Sequence, residues 1–150
     1  MRAIALSLCL GLALAAPVTV AEQGAPIHRD GFNKIPQNIL DGLDALRRDH
    51  PGDTETAWLK DSRFPADGST GNALQNFRAH DGEYQGFELV ATQDITQRMR
   101  VIYLVLNYER QPHFVKFTAY RTDKEWVVLQ LDLNLDVAAM EAALANMPHN

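Results

Sequence analysis

Between Gln85 and Leu135, apolar and polar residues alternate with a period of two through four successive runs. That is the spacing of β-strands with one buried face. The runs span 84–93, 98–108, 113–121 and 125–135, with polar breaks between them, one holding Pro112. They predict one curved antiparallel meander. Taking Glu109–Pro112 as the second loop sets Leu106 opposite Val115, Leu104 opposite Phe117 and Ile102 opposite Ala119. Taking Thr122–Lys124 as the third loop sets Ala119 opposite Val127, Phe117 opposite Leu129, Val115 opposite Leu131 and Arg121 opposite Glu125. Taking 94–97 as the first loop aligns Leu89 with Ile102 and Phe87 with Leu104, with Ala91 on the same face. That face contains no polar residue. A one-residue slip of the last strand would bring Gln130 and Asp132 onto it. Burying each of those unpaired would cost ~1–3 kcal/mol, so the apolar register is expected.

A different period precedes the sheet. Ile35, Ile39, Leu43 and Leu46 recur at helical spacing, and a helix is expected over about 36–48. Pro36 suits its first turn, and His50-Pro51-Gly52 stops it. Asp53-Thr54-Glu55-Thr56 can cap a short helix through Trp58 and Leu59. After a loop at 61–69, Ser69 or Thr70 can cap a third helix to about Ala79, with Leu74 and Phe77 inward and Gly71 weakening it. Asp136 caps a short C-terminal helix with Val137, Met140 and Leu144 on one face. Helices with matching stripes can cover the apolar sheet face. The fold class is therefore α+β, N-terminal helices on a four-stranded antiparallel sheet.

The first residues have another character. Met1-Arg2 is followed by an uncharged apolar run from Ala3 to Ala16, and Thr19-Val20-Ala21 fits a small-residue cleavage site. This is the pattern of a secretory signal peptide. The run is shorter than the ~20 residues a spanning helix needs, and no later segment is long and apolar enough to span. The expected organisation is a leader at 1–21, a loose N-terminus at 22–34 and one domain at 35–147, exported to the periplasm or secreted. Cys9 is the only cysteine. Leu8 precedes it where a lipid-attachment site needs a small residue, and it leaves with the leader. The mature chain can then form no disulfide and rests on its core. The formal charge is −5, and losing Arg2 makes it more acidic. Basic residues are not clustered, so nucleic acid is an unsuitable partner.

Helices followed by a long curved meander resemble the cone fold of the nuclear-transport-factor-like, or cystatin-like, proteins. That superfamily includes ketosteroid isomerases and many non-catalytic domains. More narrowly, Tyr84-Gln85-Gly86-Phe87-Glu88-Leu89, Tyr108-Glu109-Arg110-Gln111-Pro112 and Phe117-Thr118-Ala119-Tyr120 with Trp126 resemble small secreted bacterial proteins of unassigned function. The resemblance covers about 58–136. It implies a pocket between helices and sheet and pairing through a sheet face, and it implies no reaction.

The chemistry in the chain is sparse. The five histidines are scattered, and no pair has metal-ligand spacing. Asp132, Asn134 and Asp136 alternate with leucines as a strand does, with no glycine turn for calcium. No cofactor and no catalytic residue is assigned. The inward list holds no carboxylate, Tyr or His of the kind this fold uses in enzymes. The pocket-rim candidates are Trp58, His80, Tyr84 and Arg110, with Arg110 a partner for a carboxylate. Trp58 also reads as a core anchor. The outer face mixes aromatic and polar side chains, as interfaces do, and as half-covered outer faces also do. Tyr103, Lys116, Tyr120, Trp126 and Gln130 are its candidates for a ligand, a protein partner or a second copy. The expected function is a non-catalytic binding or interaction module, with an apolar small ligand or a homodimer as its partner. The alternative is an isomerase- or dehydratase-type enzyme working between helices and sheet.

Overall fold

A computed structural model describes residues 34–146. The expected leader and most of the expected N-terminal segment lie outside the described residues. The order is α1 (Gln37–Arg47), α2 (Pro51–Trp58), α3 (Ser69–Asp81), β1 (Tyr84–Thr96), β2 (Met99–Tyr108), β3 (Pro112–Arg121), β4 (Trp126–Leu135) and α4 (Val137–Ala145). The strands form one antiparallel sheet in the order β1-β2-β3-β4. The architecture is α+β, as the periodicities predict.

Three helices cover one face. Ile39, Leu43, Leu46, Trp58 and Leu74 meet Ile102, Leu104, Leu106, Val115 and Phe117 in the main core. Burial of each large side chain is worth ~1.5–3 kcal/mol. Trp58 is the pin of this layer. Its indole N–H donates to the Ile39 carbonyl at 3.0 Å, and its ring meets Phe117 edge-on at 5.1 Å. Gly42 leaves the space the indole fills, because a Cβ there would fall on the ring. Glu55, also fully enclosed, accepts the N–H groups of Gly68 at 2.9 Å and Gly71 at 2.8 Å. It thus serves the unpaired donors at the start of α3. Gly71 suits that approach, since a Cβ there would stand close to the Glu55 carboxylate and the Pro51 carbonyl.

The registers differ from expectation in two ways. The first is a slip of two residues in every pair of strands. Between β2 and β3, Leu104 lies opposite Val115, Ile102 opposite Phe117 and Leu106 opposite His113. Leu89 and Phe87 face Leu104 and Leu106, not Ile102 and Leu104. Phe117 faces Leu131, not Leu129. The β2–β3 turn is tighter than predicted, with Asn107 paired to Pro112. A two-residue slip preserves the faces, so the apolar side survives. It also pairs His113 with Leu106 on the helix-covered side. Bulges cause the second difference. Leu89 pairs with Leu104, but Ala91 pairs with Tyr103. Phe117 pairs with Leu131, but Ala119 pairs with Val128 and Arg121 with Trp126. Each bulge inserts a residue and reverses the faces beyond it. Ala91 and Val127 therefore leave the helix-covered face, Leu129 sits at the bulge, and Val128 and Trp126 turn inward.

Helix α4 packs on the other side. Met140 is buried and joins Val101 and Tyr103, with Ala91, Phe114, Leu135 and Leu144 around them. Asp136 caps this helix by accepting the Ala139 N–H at 2.6 Å. Val137, expected on the same face, is exposed. Among the described residues no helix is long and apolar enough to cross a membrane.

Candidate functional site

The helix-covered side opens at one end into a cleft of about 500 Å³. Its apolar wall comes from Leu46 at the end of α1, Pro51 at the start of α2 and Leu74 on α3. Tyr84, at the start of β1, and Tyr108, at the end of β2, complete the wall. They are partners in the sheet register. Their rings meet edge to face at 5.6 Å.

Both phenol hydroxyls are buried and have no hydrogen-bond partner among the described residues. Tyr108 as a residue is only 6% exposed. Buried hydroxyls are normally satisfied, and an unpaired one costs ~1–3 kcal/mol. Burial pushes the Tyr108 phenol up to about 12, helped by the negative charge of Asp81. Burial likewise raises Tyr84, with Tyr108 adding to the effect and Arg47 opposing it. Both phenols are therefore neutral near neutral pH.

Charged groups ring the mouth. Arg78 of α3 pairs with Asp49 and, at 2.8 Å, with Glu83. Arg47 pairs with Asp44 at 2.5 Å. Glu109 lies across Gly82, so close that a Cβ on Gly82 would collide with it. The β2–β3 turn is fastened to the end of α3. The Glu109 N–H donates to the Glu83 carbonyl at 3.1 Å and the Arg110 N–H to the Asp81 carbonyl at 2.9 Å. The Arg110 guanidinium donates to the His80 carbonyl at 2.7 Å. Arg110 thus serves the last carbonyls of α3, not the carboxylate expected for it.

Beside Tyr108 sits a buried acid–imidazole pair. His113 Nε2 is 2.9 Å from Asp81 Oδ2. Phe77 stacks on the imidazole at 3.7 Å, and Tyr108 meets it edge-on at 5.4 Å. The His113 hydrogen bond holds the Asp81 carboxyl below the ordinary carboxylate value, and burial opposes this. The expectation of an inward side without titratable groups is thus corrected: Glu55, Asp81 and His113 are all buried there. Neither Asp81 nor His113 lines the cleft.

The predicted rim residues divide. Tyr84 lines the cleft. His80 turns back along its own helix, with Nδ1 2.8 Å from the Asn76 carbonyl. Trp58 is fully buried in the core and takes no part in the rim. Tyr108 was missed, although it stands at the end of the same alternation that placed Leu104 and Leu106 inward. The outer-face candidates divide too. Tyr103 is buried beneath α4. Trp126 is on the opposite face, beneath the Arg100 guanidinium at 4.9 Å. Lys116 and Gln130 remain outside and converge on Asp132 at 3.2 Å and 3.1 Å. Tyr120 stays half-buried, paired with Met99 and Val127. Among the described residues no group of three or more His, Cys, Asp or Glu is placed to hold a metal ion.

No protein-family model matches the chain, and no curated protein matches it in sequence. A structural match does exist. It is a domain of unknown function from Nostoc punctiforme, described as having a cystatin-like fold. The match covers 78% of this chain and 85% of that one, with a TM-score of 0.50 and 9% sequence identity. This chain has a cystatin-like fold. At that identity the likeness concerns the fold alone.

Proposed function

We propose that this protein is an exported, non-catalytic module that binds a small molecule in the cleft between α1, α3 and the sheet. The observation that carries the reading is the pair of buried, unpartnered hydroxyls of Tyr84 and Tyr108. The two tyrosines border a partly apolar cleft whose volume fits a ligand site. A ligand would complete the hydrogen bonds that folding leaves unmade.

Binding is favoured over catalysis by the chemistry around the cleft. A general base works best with a pKa near the operating pH. The buried carboxyl of Asp81 is displaced the other way and is engaged by His113. The phenols are held neutral. Asp49 and Glu83 are occupied by Arg78.

The test separates a binding role from a structural one. Ligand-observed NMR against a soluble fragment collection should give hits that shift the Tyr84 and Tyr108 resonances. A Tyr84→Phe/Tyr108→Phe variant loses no internal hydrogen bond, so it should fold with equal or slightly greater stability. It should bind the same hits about tenfold more weakly, the loss of roughly one hydrogen bond. Hits that bind the variant unchanged, or no hits at all, would refute the reading.

A further inference from the structure

The cleft is shut at its inner end. Tyr84 and Tyr108 border it, yet neither of their hydroxyls reaches solvent. Two sides close on them. The fixed side is the end of α3, fastened to the β2–β3 turn through the Asp81 and His80 carbonyls and Arg110. The other side is the corner between α1 and α2, which brings Leu46, Arg47, Asp49 and Pro51 to the cleft. The Tyr84 phenol feels the Arg47 charge, which sets the end of α1 beside that ring. At the start of α3, Glu55 of α2 ties the layers together through the Gly68 and Gly71 N–H groups. At the cleft end the tie is Arg78 of α3. It pairs with Asp49 on the corner and, at 2.8 Å, with Glu83 on the fixed side. Among the described residues no other hydrogen bond or ion pair joins residues 48–51 to the second half of α3.

Asp49 is a poor choice for the backbone it occupies. It follows the Arg48 cap of α1 with a φ of 62°. Its N–H donates to the Leu46 carbonyl and the His50 N–H to the Ala45 carbonyl, both at 3.0 Å. That is the Schellman ending of a helix, whose left-handed position glycine takes without strain. Aspartate takes it at a cost. Its carboxylate offsets that cost through Arg78, the partner it has. The two side chains are 41% and 54% exposed. An ion pair so open to water is weak and is screened by salt. It can hold a cleft shut and still be released.

We infer that Arg78 is a strap: its bond to Asp49 holds the α1–α2 corner against the Tyr84–Tyr108 wall, and a ligand enters when that bond opens. The inference rests on the binding role proposed above and adds how access to the site is controlled. Tyrosine nitration by tetranitromethane near neutral pH, mapped by mass spectrometry, tests it without a ligand. Tyr120, on the outer face, is the internal reference. Relative to it, Tyr84 and Tyr108 should react slowly in the natural chain. Asp49→Gly and Arg78→Gln should each speed both, by up to about fivefold for an exposed pair. Sodium chloride at about 0.5 M should speed them in the natural chain and in neither variant. Asp49→Gly keeps the helix ending, so an unchanged urea midpoint should show that global unfolding is not the cause. The two substitutions remove opposite charges. A mere change of field at the phenols would move their rates in opposite directions, and that result would overturn the strap. Unchanged rates in both variants would overturn it too. Fragments that bind at the two tyrosines should bind both variants more tightly. Hits of unaltered affinity would refute the strap and leave the binding role intact. Faster nitration in both variants without a single hit would uphold the closure and refute the binding role.

Discussion

Single side chains carry much of this fold's specificity, and the Trp58–Gly42 contact is the clearest case. The indole lies where any side chain at position 42 would stand. It also serves the Ile39 carbonyl through Nε1. Gly42→Ala should therefore destabilise the protein, despite the better helix propensity of alanine. Overpacking typically costs ~1–3 kcal/mol, to be read as a lower urea midpoint. Gly52→Ala is the control: position 52 is helical and nothing lies within 4 Å of its Cβ position, so its midpoint should stay level or rise slightly. The need for Gly42 is not written in the periodicity. Ile39 and Leu43 mark the buried face of α1, but no local signal says that Trp58, sixteen residues on, will pack against Gly42. Glu55 is a similar case. An acidic residue in a short helix reads as solvated until α3 presents its free N–H groups to it.

At the scale of elements, the alternation of residues gave the strands and the bulges decided their faces. Bulges left the helix-facing parity of β2 and β3 intact. In β1 and β4 one inserted residue reversed it, exchanging Val127 for Val128 and bringing Trp126 inward. A period-two reading sees no such insertion, because both Val127 and Val128 are apolar. Helix α4 was expected as a helix, but its position on the outer face was not legible. Its anchor is Met140, only 3% exposed. Met140→Ala should cost about 2 kcal/mol, at the low end for a buried methionine because the partner surface is small. Hydrogen exchange checks the location of the loss. The amides of α4 should lose protection while those of β2 and β3 keep theirs. Uniform loss across the sheet would mean that α4 is integral to the main core.

At the scale of the whole molecule, the Asp81–His113 pair joins the end of the helical layer to the start of β3. Its pH dependence has a defined sign. The Asp81 carboxyl is held below its ordinary value of 3.8 in the folded chain. Its contribution is therefore present above that value and is lost as pH falls through 3.8 toward the depressed folded value. Urea midpoints measured from neutral to below that point should fall for the natural chain. Asp81→Asn should lower the midpoint near neutral pH and flatten this acid limb. An acid limb of unchanged steepness in the variant would assign it to other carboxylates. The same pair shows how the site was only half visible. Tyr84 and the Glu109–Pro112 turn stood out in the sequence. His113 was left off the inward face, although it shares the parity of Val115 and Phe117 along β3.

The sequence by itself determined the α+β class, the helices and strands in order, and most of the apolar face. Those follow from local periods, which depend only on backbone geometry and the transfer of apolar groups from water. The tertiary structure alone decided which residue each bulge would insert, that Trp58 keeps only the core-anchor half of its two readings, that Tyr103 is covered, and that Tyr84 and Tyr108 leave their hydroxyls unpaired among the described residues beside a cleft. These depend on contacts between residues distant in the chain, and on hydrogen bonds that can be counted only when every neighbour is in place.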